Sequence, residues 1–431
     1  MQDSAPKHIS VAVIGGGQAG HSISYYLKER DIEHLVFEKN TAMHAWKEQR
    51  WDRFCLVTPN WQCDLPGHPY DGTDPDGFMK RDEIIDYLSR FREKVAAPLR
   101  EGVSVSRVSP RADGAFDVVT SAGDYIAGQV VAASGGYTTP IIPRLAERLP
   151  PHIKQLHSEQ YRNPNALPEG AVLVVGSGQS GAQIAEDLHL AGRKVHLALG
   201  NAPRCARFYR GKDVVTWLAE MGYYDMPVEK HPLREGVRNN TNHYVTGRDG
   251  GRDIDLRKFA LEGMQLYGLL EGLDRGVFAF RPTLKAALDD ADRVYNAINA
   301  TIDGFIAENR IDAPPASVYR PVWEPAEEPR ALDLDAAGIT AIIWCIGFQP
   351  DFRWLDAAVF NGAGHPQHHR GVTAQKGLFF LGLPWLHTWG SGRFSGVARD
   401  AAFIAERIGE NLNAAKIPIH RLATAGCRSS R

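Results

Sequence analysis

Six glycines are the first residues whose spacing could do chemistry. Gly15, Gly17 and Gly20 stand in IGGGQAG, and Gly176, Gly178 and Gly181 stand in VGSGQSG. Each set reads Gly-x-Gly-x-x-Gly, after an apolar run and before a helical pattern. In such a turn the first glycine makes the bend tight and the second lets the backbone approach a pyrophosphate. The third seats the helix on the strand, and the helix amides point at the phosphates. Gln18 and Ala19 complete the first turn, and Ser177, Gln179 and Ser180 the second. The chain therefore offers two dinucleotide cradles.

The two cradles differ in the residues at the end of the next strand. The second strand of the first unit, in HLVFEKN, ends at Glu38 and Lys39. A carboxylate there accepts hydrogen bonds from ribose hydroxyls and repels a 2′-phosphate. The first site is thus predicted to take FAD or NAD. The second unit ends at VHLAL with no acid, and Arg204 and Arg207 come next, with Arg210 close behind. Guanidinium forks match phosphate oxygens, so this site is predicted to take NADPH; the plain alternative is a solvated basic face. The expected pair is a resident FAD and a hydride-delivering NADPH, which lets a two-electron donor react onward with O₂ or another acceptor.

The elements that must position these turns read as α/β throughout. Each turn lies in a strand–helix–strand unit of a buried parallel sheet. The sequence predicts two Rossmann-like dinucleotide-binding domains, the second inserted in the first. The first covers 1–165 and 340–425, the second 166–339, and 426–431 form a tail. A mainly helical insertion is expected at about 214–320, where LKAALDDADRVYNAINATIDGFIAEN repeats apolar residues at helical spacing. Such an insertion would cover the cleft between the domains. TGRDGGRD (246–253) reads either as a nucleotide or substrate contact or as a solvated hairpin.

Composition narrows the function further. The 431 residues carry 49 basic and 51 acidic side chains, with no block of like charge, which argues against nucleic acid or an anionic membrane surface. No apolar run reaches the length of a membrane span, and no leader pattern opens the chain. Cys55, Cys63, Cys205, Cys345 and Cys427 form no CxxC or CxxxxC pair. Reduced thiols and a cytoplasmic location are expected, and a disulfide reductase, which needs a cysteine pair beside its flavin, is disfavoured. HPQHHR (365–370) suits no common zinc spacing, so no metal is expected.

With these residues in place the chain resembles the flavin-containing monooxygenases, single-chain enzymes dependent on FAD and NADPH. Among them it looks like the bacterial flavin-dependent oxidoreductases of nitrilase-containing gene clusters. The likeness covers nearly the whole chain. VVAASGGYTTPIIP (130–143) resembles the segment that leaves the first half-domain, with Gly135 in it, and AIIWCIGFQPDFRWL (341–355) resembles its second copy. GLFFLGLPWLHTWGSGRFSGVARDAAFIAERI (377–408) resembles the segment that closes over the flavin, with a strand ending at Gly382, Phe394 by the ring and a helix starting near Gly396. The family fingerprint FxGxxxHxxxY is half present. His157, Tyr161 and Arg162 match, but Pro151 and Ile153 replace its Phe and Gly, and Tyr161 departs from the Baeyer–Villiger variant, which ends in Trp.

The resemblance implies that WKEQRWDRFCLVTPNWQCDLPG (46–67) borders the flavin. Asn60 would hydrogen-bond a C4a-hydroperoxide as the catalytic residue; its other reading is a turn cap. Trp46, Arg50, Thr58 and Val108 would touch the cofactor, and Trp61, Trp385, Trp389 and Phe394 would keep water out. The implied reaction moves one oxygen atom from O₂ to a soft nitrogen or sulfur of a small organic substrate. An NADPH oxidase releasing peroxide, a reductase of a quinone-type acceptor and a non-catalytic flavoprotein sensor are the alternatives. The implied partners are a small molecule and O₂, with neither nucleic acid nor membrane, and the resemblance admits a homodimer.

Overall fold

The computed structural model describes residues 5–416. The expected tail at 426–431 and the last part of the expected first domain lie outside the described residues. Strand Lys7–Ile14 is central to the first sheet. Val11, Ala12 and Val13 are wholly buried in it, as a strand covered on both faces requires. His34–Glu38 and Tyr125–Ala132 flank it in parallel. Leu99–Glu101 extends one side, and Leu378–Phe380 returns from late in the chain to pair in parallel with Tyr125–Ala132. Phe116–Thr120 and Val105–Pro110 continue the sheet as an antiparallel ribbon. Helices Gln18–Lys28, Arg81–Val95 and Val397–Lys416 contribute Ile23, Leu27, Ile84, Phe91, Ala401 and Ile404 to one core.

The second sheet is wholly parallel. Its order is Lys154–His157, Ile339–Trp344, Ala171–Val175, Val195–Ala198 and Gln265–Tyr267. This moves both expected domain edges. Ile339–Trp344 lies between Lys154–His157 and Ala171–Val175, so an edge at 340 would cut a central strand, and Lys154–His157 pairs in the second sheet rather than the first. The apolar run at 339–344 reads identically for either sheet; only pairing assigns it. The insertion is helical in Val214–Glu220, Leu256–Leu261 and the long Leu284–Asn309. It also supplies strand Gln265–Tyr267 and a hairpin, Leu270–Asp274 with Val277–Phe280, that pairs with Ala331–Asp333.

The two passages expected to be copies of one segment meet. Thr139–Pro140 and Phe348–Gln349 form a two-stranded antiparallel bridge. No helix among the described residues is long and apolar enough to cross a membrane.

Candidate functional site

Both glycine turns open into one cleft of about 1930 Å³. At the first, Gly15 has φ +117°, and a Cβ on it would stand 2.5 Å from the Ala133 carbonyl oxygen. Gly20 lies so close over Gly15 that a Cβ there would collide with the Gly15 carbonyl oxygen. The second turn repeats the design: Gly176 has φ +100°, a Cβ on it would stand 2.5 Å from the Cys345 carbonyl oxygen, and Gly181 lies over Gly176. The first and third glycines are thus demanded by packing. The middle ones are not. A Cβ on Gly17 would meet nothing within 4 Å, and one on Gly178 only the Thr241 methyl at 3.5 Å.

These open glycines are the N-caps of helices Gln18–Lys28 and Gln179–Leu190, and neither helix has a side-chain cap. Their first amides are left without a protein side-chain partner. The insertion helices starting at Val214 and Leu256 are instead capped by Asp213 and Asp255. An uncapped helix start facing a cleft, with space over its glycine, fits a pyrophosphate. Both cradles therefore fit a dinucleotide.

Most of the first-site residues border this cleft. Gly15, Gly17, Gln18, Ala19, Glu38, Lys39, Trp46, Arg50, Thr58, Gly135, Gly382 and Phe394 line the cleft. One Glu38 oxygen accepts the Gly16 amide at 2.7 Å, and the other accepts that of Asn40 at 2.8 Å, which fixes the carboxylate at the strand end. Trp46 donates its indole N–H to Gln18 at 3.0 Å and packs on Phe394. The Arg50 guanidinium lies over Trp46 at 4.9 Å and Phe54 at 5.5 Å. Burial pushes it down to about 10. At the second turn Gly176, Ser177, Gly178, Gln179 and Ser180 line the same cleft. Ser177 Oγ accepts the Gly200 amide at 3.1 Å, and Gln179 donates to the Val245 carbonyl at 2.6 Å.

Arg204, Arg207, Asn60, Val108 and the expected water-excluding Trp61 do not line the cleft. Arg204 is 2 % exposed, its guanidinium 2.8 Å from Asp292 and stacked at 3.9 Å on Tyr319. Arg207 is 1 % exposed, pairs with Asp213 at 2.5 Å and donates to the Val57 carbonyl at 2.7 Å. Both cations are neutralised by buried aspartates, and neither lines the cleft. Asn60 is also buried with both amide functions used: Nδ2 donates to the Asp74 carbonyl at 2.9 Å, and Oδ1 accepts the Met79 amide at 2.7 Å. It organises the 60–79 loop and does not face the cleft. Val108 is wholly buried, its amide donating to the Trp354 carbonyl and its carbonyl accepting from Asp356.

The half-present fingerprint is structural. His157 Nε2 is 3.1 Å from the Gly347 carbonyl, and Tyr161 donates to Asp187 at 2.7 Å. TGRDGGRD closes on an antiparallel bridge between Thr246 and Arg252, and its arginines do not line the cleft. Arg248 and Arg252 pair with Asp187 and Glu186 on the helix of the second turn.

The cleft holds residues that spacing did not reveal. Gln62, two positions from Asn60, lines it, is 4 % exposed, and its Oε1 has no partner. The 3₁₀ turn Asn60–Gln62 sends the two amides in different directions. Tyr223, Tyr224, Trp385 and Trp389 line another part, with Arg393 beside them. The only signal for Arg393 was its place next to Phe394.

A family model for pyridine nucleotide-disulphide oxidoreductases matches residues 12–224. The CzcO-like oxidoreductase of Geobacillus kaustophilus is 31 % identical over 406 residues, spanning 93 % of this chain and 98 % of that protein. The chain belongs to the CzcO-like oxidoreductases. Its fold is that of solved flavin monooxygenases. A flavin-containing monooxygenase from Stenotrophomonas maltophilia superposes on this oxidoreductase with a TM-score of 0.64 at 18 % identity, over 94 % of this chain and 99 % of that one. An ornithine N-hydroxylase of Kutzneria, solved with reduced FAD, NADP⁺ and L-ornithine, gives 0.61 at 17 % identity, over 94 % and 100 %. The fold of this oxidoreductase, with two Rossmann-type units, is therefore one it shares with solved flavin monooxygenases.

Proposed function

We propose that the protein is an FAD- and NADPH-dependent monooxygenase that transfers one oxygen atom of O₂ to a soft nitrogen or sulfur of a small organic substrate. The observation that carries this reading is the opening of two uncapped glycine turns into one cleft. Two dinucleotides held there would bring their reactive ends together. Bound FAD supplies hydride acceptance and O₂ activation.

The chain's own part is to hold, orient and dry. Gly17 and the helix behind it take the FAD pyrophosphate, and Glu38 takes its ribose. Gly178 and its helix take the NADPH pyrophosphate. Trp46 and Phe394 pack where the isoalloxazine would lie, Trp385 and Trp389 exclude water, and Gln62 offers the unpartnered amide that was expected of Asn60. The cleft-lining Cys205 and Cys345 are both free thiols, and burial raises both well above the usual thiol range. This is the reverse of what a thiolate-using reductase needs.

The test is anaerobic reduction of the FAD-loaded protein by NADPH, followed by mixing with ¹⁸O₂ and a panel of thioethers and amines. Incorporation of one ¹⁸O into a panel member supports the reading. Complete recovery of NADPH electrons as hydrogen peroxide across the panel rejects it in favour of an oxidase.

A further inference from the structure

Guanidiniums in this protein are mostly neutralised where they are buried. Arg204, Arg207, Arg248 and Arg257 each pair with an aspartate. Arg50 and Arg393 are different, and Arg393 is the one beside Trp389. It lines the cleft, yet among the described residues it forms no ion pair. One nitrogen donates to the Trp389 carbonyl and another to Asn242 Oδ1 at 3.0 Å, and its planar head lies 3.7 Å from the centre of the Trp389 ring. The carboxylates lining the cleft are Glu38, Glu159 and Glu235. Glu38 is held by backbone amides, and Glu235 pairs with Arg238 at 3.2 Å. A half-buried cation with no carboxylate partner in a ligand cleft asks for an anion from the ligand.

The walls beside it set the rest of the ligand. Trp389 packs on Tyr224 at 4.4 Å, and Tyr223 meets Trp385 at 6.4 Å, edge to face. These rings come from two distant segments: Tyr223 and Tyr224 stand in the short 3₁₀ turn after helix Val214–Glu220, and both tryptophans lie near Arg393 in the chain. Such walls accept a flat apolar body. The geometry points to an organic acid as the oxygen acceptor, its carboxylate on Arg393 and its aromatic ring against Trp389 and Tyr224. This deepens the monooxygenase reading and rests on it. A nucleotide phosphate is the other anion that could reach this cation, because Asn242 is next to Thr241, which packs over Gly178 at the second cradle.

The test titrates phenylacetate, 3-phenylpropanoate and 2-naphthoate, each against its primary amide, into the FAD-loaded protein, read by intrinsic tryptophan fluorescence and flavin absorbance. At least one acid is expected to bind tenfold or more tightly than its amide. Arg393→Met should bring that ratio close to one, and Arg393→Lys should restore part of it. If no acid outbinds its amide in the wild-type protein, the inference is overturned without any variant. It is also overturned if Arg393→Met raises half-saturating NADPH while the acid-to-amide ratio stays intact, which would assign the cation to the nucleotide. Failure of the monooxygenase reading shows separately, as absence of ¹⁸O transfer from a protein that still discriminates acid from amide.

Discussion

Gly176 faces Cys345 so closely that a Cβ on it would stand 2.5 Å from the cysteine carbonyl oxygen, and a Cβ on Gly15 would stand at the same 2.5 Å from the carbonyl oxygen of Ala133. At each turn the chain leaving a neighbouring strand crosses directly over the first glycine. The second glycine of each turn has open space instead. First and second glycines should therefore fail differently when changed to alanine.

Gly17→Ala is expected to leave the melting temperature of the FAD-free protein unchanged and to weaken FAD binding about tenfold or more, roughly 1.4 kcal/mol. Gly176→Ala should instead unfold the second sheet or leave no soluble protein, because its clash is with backbone and its φ is +100°. Thermal melts and flavin titrations on both variants check this. Equal melting of Gly176→Ala and wild type would contradict the packing role.

Arg207→Ala should act on stability and not on nucleotide choice. Removing one partner of a buried pair leaves Asp213 charged and desolvated, at a cost of about 3–5 kcal/mol. The ratio of half-saturating NADPH to NADH should stay as in the wild type. A selective loss of NADPH would return Arg207 to the 2′-phosphate role that its sequence position suggested.

The two amides of the 60–62 turn should separate cleanly. Asn60→Ala removes two buried hydrogen bonds and should cost about 2 kcal/mol or more of stability. Gln62→Leu should melt near the wild-type temperature and raise the share of NADPH electrons released as peroxide. Denaturant unfolding together with peroxide yield per NADPH distinguishes them; an unchanged yield in Gln62→Leu removes it from the reaction.

Acid should weaken the second sheet through His196. Its side chain is 3 % exposed, and burial, helped by the nearby Lys194 charge, pushes it down to about 4 from 6.5. The unfolded chain then takes up the proton at higher pH than the folded one. The contribution of neutral His196 is complete above pH 6.5 and is lost as pH falls from 6.5 through 4. The full loss is on the order of 3 kcal/mol. His196→Phe should flatten the fall in unfolding free energy between pH 6.5 and 4, measured by urea titration at each pH.

Both cradles were legible in the sequence because their demands are local. A strand, three glycines, a helix and a second strand fall within about thirty residues, and tight turn, close approach and helix packing all act inside that span. The acid at Glu38 belongs to the same span and was legible too. The family likeness extended this reading to Trp46, Gly135, Gly382 and Phe394, which do line the cleft.

Tertiary structure alone decided the rest, because a charge or an amide takes its role from partners far along the chain. Arg204 and Arg207 stand where a phosphate-binding arginine could stand, but Asp292 on the long helix and Asp213 at the cap of helix Val214–Glu220 claim them. Asn60 is claimed by backbone of the 74–79 segment, while Gln62 is left open to the cleft. Strand Ile339–Trp344 joins the second sheet because its ladder partners are there. Arg393 is left with no carboxylate among the described residues, and nothing in the short run Gly392-Arg393-Phe394 could have said so. Local patterns name which groups a chain offers; desolvation and pairing decide which of them remain free to meet a ligand.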